Sequence, residues 1–166
     1  MSGNKLVGQF LSAFKKNGSS VAKGADVRKH HLVLLGKIFK IDDLSFDSSG
    51  VCVVSLTRAV LKLQMLRSGR LLLTVLIDLL PVSPQSTLLE ALLMANMRLR
   101  AQGLSISLEQ GSRMIVLQGE LSPDMQIAAY KRRVEMIIAT ASEVKRNIEP
   151  MQNDGWGEER VARSVS

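Results

Sequence analysis

An α+β fold, with helices packed on an antiparallel sheet, is what the sequence predicts. Apolar runs with strand periodicity are joined by short turn sequences, which read as hairpins. Stripes of helical period precede these runs, interrupt them and close the chain. There is no sustained internal repeat, and 166 residues suffice for one domain with a real hydrophobic core. The predicted order is α-β-β-β-α-β-β-α, with a basic extension over 1–25, a domain over 26–149 and a tail over 150–166.

In the extension, "KLVGQFLSAFKK" sets Leu6, Val7, Phe10, Leu11 and Phe14 on one side of a short helix with Lys5, Lys15 and Lys16 at its ends. It reads either as a membrane-surface or partner-binding helix or as an extension resting on the body. Gly18, Ser19 and Ser20 break it. Asp26 can cap the first domain helix, which runs to about Lys40 with Leu32, Leu35, Ile38 and Phe39 as its stripe. "LSFDSSGVCVVSL" reads as strand, turn, strand, because Asp47, Ser48, Ser49 and Gly50 supply turn chemistry.

"AVLKLQML" sends Leu61, Leu63 and Met65 to one face and Lys62 and Gln64 to the other, so it has one wet face. After the turn "RSGR", "LLLTVLIDLL" is apolar on nearly every position. It is either a central strand buried on both sides or a strand at an interface. Pro81 and Pro84 end this segment, Ser83 or Ser86 can cap the helix "LLEALLMANM", and Gly103 stops it. "LSISLEQGSRMIVLQGEL" forms a hairpin. The last helix repeats Ile127, Val134, Ala141 and Ile148 every seven residues, with Tyr130, Ile137 and Val144 between them.

The formal charge of +7 is unevenly placed. Residues 1–40 hold eight basic side chains (Lys5, Lys15, Lys16, Lys23, Arg28, Lys29, Lys37, Lys40) against Asp26, and the remainder is balanced. No run approaches the ~20 apolar residues of a membrane span, no secretory signal is apparent, and the lone Cys52 sits in an apolar strand, so a cytosolic protein is expected.

Candidate chemistry is sparse. His30 and His31 are adjacent on a helix and point about 100° apart, so they cannot chelate one metal as an i, i+4 pair would. His31 is expected to pack and His30 to be solvated. There is no glycine-rich phosphate loop, and the neutral body does not combine basic residues with stacking aromatics. No cofactor, metal site or enzymatic activity is expected. Apolar surface is what the sequence has in excess. At 100° per residue, Leu88, Leu92, Ala95 and Leu99 form one stripe. Leu89, Leu93 and Met97 form a second, with Asn96 at the boundary. Either the domain wraps this helix or a symmetric twin covers it.

The layout over about residues 26–148 resembles the class I type III secretion chaperones, the CesT/SycE (Tir chaperone) family. The resemblance rests on "LLGKIFKIDDLSFDSSGVCVVSL", on "LLEALLMANM" followed by "LSISLEQGSRMIVLQGEL", and on the closing amphipathic helix. It implies a homodimer that holds the N-terminal region of secreted effectors extended and presents it to the secretion apparatus, through the secretion ATPase or another export component. The implied dimer contact is Leu89, Leu93, Asn96 and Met97 with Leu73, Val75 and Ile77 of the neighbouring strand. The implied effector surface includes Leu35, Ile38, Phe39, Leu44, Phe46, Val51 and Val53. The chain is more basic than this family usually is. Its arm supports a second reading, an adaptor binding nucleic acid or anionic membrane through residues 1–40.

Overall fold

The structure is a computed structural model that describes residues 25–109 and 111–153. Three hairpin-forming turns and one helical crossing make one five-stranded antiparallel sheet. Its strands are β1 (Val51–Ser55), β2 (Val60–Met65), β3 (Leu71–Leu79), β4 (Leu104–Glu109) and β5 (Met114–Leu121), in spatial order β1-β2-β3-β5-β4. The helices are α1 (Ala25–Phe39), α2 (Ser86–Arg100) and α3 (Ile127–Asn153). The predicted element order is therefore observed. The extension with Lys5, Lys15, Lys16 and Lys23, and the tail beyond Asn153, lie outside the described residues.

Strand alternation decides which side chains meet the helices. Cys52 and Val54, Leu61 and Leu63, Leu71, Leu73, Val75 and Ile77, and Ile115, Leu117 and Leu121 all join one core with Leu34 and Leu35 of α1, Leu88, Leu92 and Leu99 of α2, and the stripe of α3. All three described helices thus pack on one face. On α3 the seven-residue pattern holds: Tyr130, Val134, Ile137, Ala141, Val144 and Ile148 are buried. Each such aliphatic burial is worth roughly 1.5–3 kcal/mol. Gly119 lets α3 sit close to β5, because a β-carbon there would lie 2.7 Å from Leu104 Cδ2 and 2.9 Å from Ile137 Cδ1.

Several details differ from the sequence expectation. Leu44–Phe46 does not join the sheet. The turn chemistry belongs to a cap on β1, with Asp47 Oδ1 accepting the N–H groups of Ser49 and Val51 at 2.9 Å each. On β3 the register slips between Leu76 and Asp78. This β-bulge reverses the alternation. Asp78 consequently turns toward α3, where Lys145 Nζ lies 3.6 Å from its carboxylate, and Leu79 joins Met114 and Val116 on the reverse face.

Helix ends differ too. Neither Ser83 nor Ser86 caps α2: its N-cap is Gln85, without a side-chain cap bond. Ile127 is 55 % exposed, because it lies at the first residue of α3, ahead of the turn that packs. Pro150 does not end that helix, which continues to Asn153. A proline removes one hydrogen bond and crowds the preceding turn. Met151, packed against the core, and Gln152, whose Nε2 donates to the Leu79 carbonyl at 3.1 Å, hold the last turn in place.

Candidate protein-binding surfaces

The clearest unpartnered surface runs along α2. Leu89, Leu93 and Met97 are 45 %, 62 % and 63 % exposed, and Met94 beside them is also exposed, whereas Leu88, Leu92 and Leu99 are buried. The two stripes read from the sequence are therefore distinct in the structure, and the domain does not wrap the second. Between α2 and β4 lies a groove of about 250 Å³, lined by Leu80, Leu89, Leu93, Ile106 and exposed Leu108 among others. Asn96 holds this junction together. Its Oδ1 accepts the Ile106 N–H at 2.9 Å, which satisfies an outward-facing donor on edge strand β4.

Leu73, Val75 and Ile77 are not part of that surface. They are at most 2 % exposed and point into the chain's own core. An unbroken apolar strand does not reveal from sequence which face its helices take, so these three positions are corrected here to intramolecular core.

Among the described residues no strand pairs with the other edge of the sheet. In the β1–β2 ladder the bond from Leu56 N–H to the Ala59 carbonyl sets the phase, so the main-chain groups of Val51, Val53 and Ser55 point away from β2. Those of Val51 are taken: its N–H by the Asp47 carboxylate and its carbonyl by the Asp47 N–H. Among the described residues no backbone group beyond β2 bonds those of Val53 or Ser55.

The connection leading to this edge forms one wall of a second groove, about 350 Å³, whose lining includes Leu32, Val33, Ile41 and Leu44 with Lys29 and Lys37 on α1. Gly36 makes the sharp return possible. Its carbonyl accepts the Ile41 N–H at 3.0 Å, and a β-carbon there would lie 2.7 Å from the Ile41 oxygen. Lys40, at φ 57, completes the turn.

Of the expected effector positions, only Leu44 lines this groove. Leu35 is fully buried and is corrected to core, while Ile38, Phe39 and Phe46 are partly buried and pack against that core. Val51 and Val53 face the reverse side of the sheet, and Val51 is buried. Val33 was missed. It is 46 % exposed and stands one helical turn from each of Lys29 and Lys37, a spacing that leaves an apolar residue on the solvated face. Arg28 and Lys29, expected to belong to a basic arm, lie on α1, and only Lys29 of the two lines the groove.

A buried polar lock positions α1. Gly69 offers only a carbonyl, so His31 Nε2–H donates to it, at 3.2 Å, and the Tyr130 hydroxyl donates to Nδ1 at 2.7 Å. The imidazole is fully buried, and burial lowers its pKa below the usual histidine value. His30 is exposed, as expected. Cys52 is a buried core residue whose thiol is pushed up by the same desolvation.

The remaining charged groove, about 510 Å³, has its groups engaged with one another. Arg70 meets Glu120 at 3.0 Å, and Arg133 donates to the carbonyls of Gln102 and Gly103 at 2.7 and 3.1 Å. Among the described residues no three His, Cys, Asp or Glu side chains are grouped to hold a metal ion, and no helix is long and apolar enough to cross a membrane.

Comparison with known proteins agrees with this arrangement of elements. The family profile described as the Tir chaperone protein (CesT) family matches residues 30–145. No curated protein matches the sequence. Among solved structures, the chain is similar to one in the ExsC-ExsE complex (15 % identity, TM-score 0.60, covering 76 % of this chain and 96 % of that one). It is also similar to one in the HopA1-SchA chaperone-effector complex (20 %, 0.55, 72 % and 95 %). A third is in the structure of the Yersinia pestis type III secretion chaperone SycH with a stable fragment of YscM2 (14 %, 0.51, 71 % and 98 %). At these identities the likeness establishes the fold.

Proposed function

The chain belongs to the Tir chaperone protein (CesT) family, a family of type III secretion chaperones, and on that premise we propose that it holds the N-terminal region of one or several secreted effectors in an extended, export-competent form. It acts in the bacterial cytosol, without ATP or catalysis, and hands its cargo to the export apparatus.

The observation that carries this reading is the open edge of β1 beside an apolar groove. An extended peptide adds to a sheet edge through main-chain hydrogen bonds, and side-chain pockets set its specificity. Val53 and Ser55 offer the edge, and Leu32, Val33, Ile41 and Leu44 offer the pocket. Asn96 occupies the corresponding position at the other edge, which favours β1.

A homodimer through α2 completes the proposal. Leu89, Leu93 and Met97 would meet their symmetry mates, with Asn96 at the border. A two-fold axis makes such a stripe cover itself, and leaving it wet would expose a contiguous aliphatic patch.

The test is recovery of cargo. Purified from its native bacterium, the tagged wild-type chain should bring down a secreted protein bound through its N-terminal region, and Val33→Asp should lose it while keeping its dimer mass. Capture that Val33→Asp leaves intact would reject the groove. Salt separates this reading from the basic adaptor. Cargo held by apolar contacts survives moderate salt, whereas nucleic acid or anionic lipid held by residues 1–40 is released steeply.

A further inference from the structure

The groove beside α1 carries its charge in a pattern. Its lining runs from Lys29 through Val33 to Lys37, so it follows the helix for about two turns. Side chains four residues apart share one helix face, and these three are all exposed. Among the described residues neither lysine makes an ion pair, whereas Lys62, Lys131 and Lys145 each do. The opposite wall differs. Ile41 and Leu44 are half-buried there, with the exposed carboxylate of Asp42 between them in sequence. An anionic group entering the groove is therefore drawn to the helix side and repelled from the other.

We propose that the cargo segment seated in this groove carries an aliphatic side chain bracketed by two carboxylates, each two residues from it along the cargo chain; this rests on extended cargo lying in the groove and adds the chemistry of the segment. Spacing selects the pattern. From Lys29 to Lys37 the helix rises about 12 Å, and four residues of an extended chain advance about 13 Å. Alternate side chains of an extended segment face the same way. One face of the segment thus offers acid, aliphatic and acid at the intervals at which α1 offers Lys29, Val33 and Lys37. The aliphatic group enters between Val33 and the Ile41–Leu44 wall, and the carboxylates reach the two ammonium groups. Asp42 across the groove keeps those carboxylates on the helix side. An exposed lysine–carboxylate pair is weak, so the two lysines choose among apolar segments and the apolar contacts supply most of the affinity.

Fluorescein-labelled synthetic peptides test this on the full-length chain at low salt, where exposed charges are least screened. Ser-Thr-Glu-Thr-Leu-Thr-Glu-Thr-Ser should bind at least about threefold more tightly than the same peptide with Gln for Glu, and about tenfold more tightly than the one with Lys for Glu. The isomer Ser-Thr-Thr-Glu-Leu-Glu-Thr-Thr-Ser has the same charge but turns both glutamates away from the leucine's face, and it should bind like the Gln peptide. Lys29→Glu/Lys37→Glu should reverse the order in favour of the Lys peptide. The milder Lys29→Gln/Lys37→Gln should abolish the preference, and it decides the matter if the first variant is unstable. Equal binding of the two Glu isomers, or a preference that survives in both variants, would overturn the proposal. So would the absence of binding by every peptide up to about 1 mM. Val33→Asp tells this failure from that of the groove. If the wild type binds all four peptides alike and Val33→Asp loses the Gln peptide, the groove stands and the acidic pattern falls. If Val33→Asp binds the Gln peptide as the wild type does, both fall.

Discussion

Asn96 on α2 accepts the main-chain N–H of Ile106 on β4 at 2.9 Å, so a helix side chain occupies a hydrogen-bonding position that an incoming strand would need. It is also the residue at the border of the exposed stripe Leu89, Leu93 and Met97. One amide thus fixes α2 against the sheet and blunts the β4 edge. Asn96→Leu leaves the Ile106 donor without its partner and is expected to cost about 1–3 kcal/mol. Asn96→Asp, which keeps the acceptor, should recover most of that. Chemical denaturation of the three proteins is the check, with a new tendency to aggregate expected only for the leucine variant.

The stripe itself is tested by charge. Leu93→Asp places a carboxylate at the centre of the proposed two-fold contact, where burial without a partner is costly. The variant should sediment as a monomer at concentrations where the wild type is dimeric. Its far-ultraviolet circular dichroism should be unchanged, because Leu93 makes no part of the monomer core. An unchanged dimer mass would remove this interface.

Acid should loosen α1 through His31. The folded protein holds this imidazole neutral, with its pKa below 6.5 because it is buried. The unfolded chain takes up the proton more readily, so this contribution to stability is complete above about pH 6.5 and is lost as pH falls through the lower, folded value. Thermal unfolding measured from pH 7.5 to 5 should show that decline. His31→Gln should be less stable at pH 7.5, by about 1–3 kcal/mol for the disturbed bonds to Tyr130 and Gly69, and its slope below pH 6.5 should be shallower.

Gly36 controls the groove beside α1. A methyl group there meets the Ile41 carbonyl at 2.7 Å, a backbone atom that cannot swing aside. Gly36→Ala is expected to cost roughly 1–3 kcal/mol, as overpacking does. It should also weaken cargo capture at temperatures where the variant remains folded, because Ile41 and Leu44 move with the displaced turn. Denaturation and recovery of cargo measure the two effects separately.

Periodicity made much of this architecture legible. The order of elements, the two stripes of α2 and the heptad of α3 all follow from spacing alone, because burial on one side imposes it. Features set by contacts distant in sequence were not legible. The bulge at Ile77 has no signature in "LLLTVLIDLL", and it alone turns Asp78 to the helices and Leu79 away from them. The same run, apolar on both faces, gave no means of telling that Leu73, Val75 and Ile77 serve the core. Phe39 and Phe46, expected on the effector surface, pack partly buried against the core, so aspartate there is expected to destabilise the domain as well as block cargo. The groove does leave a trace in the sequence, an exposed Val33 standing between Lys29 and Lys37 on α1.

Hydrogen exchange at the β1 edge tests cargo holding most directly. Amide exchange is compared between the free chain and the complex isolated from the native bacterium. Pairing of an extended segment at the open edge should slow the Val53 and Ser55 amides by at least about tenfold and leave that of Ile106, already bonded to Asn96, unchanged. A complex in which Val53 and Ser55 exchange as they do in the free chain, with new protection confined to α2 and β4, would contradict the account.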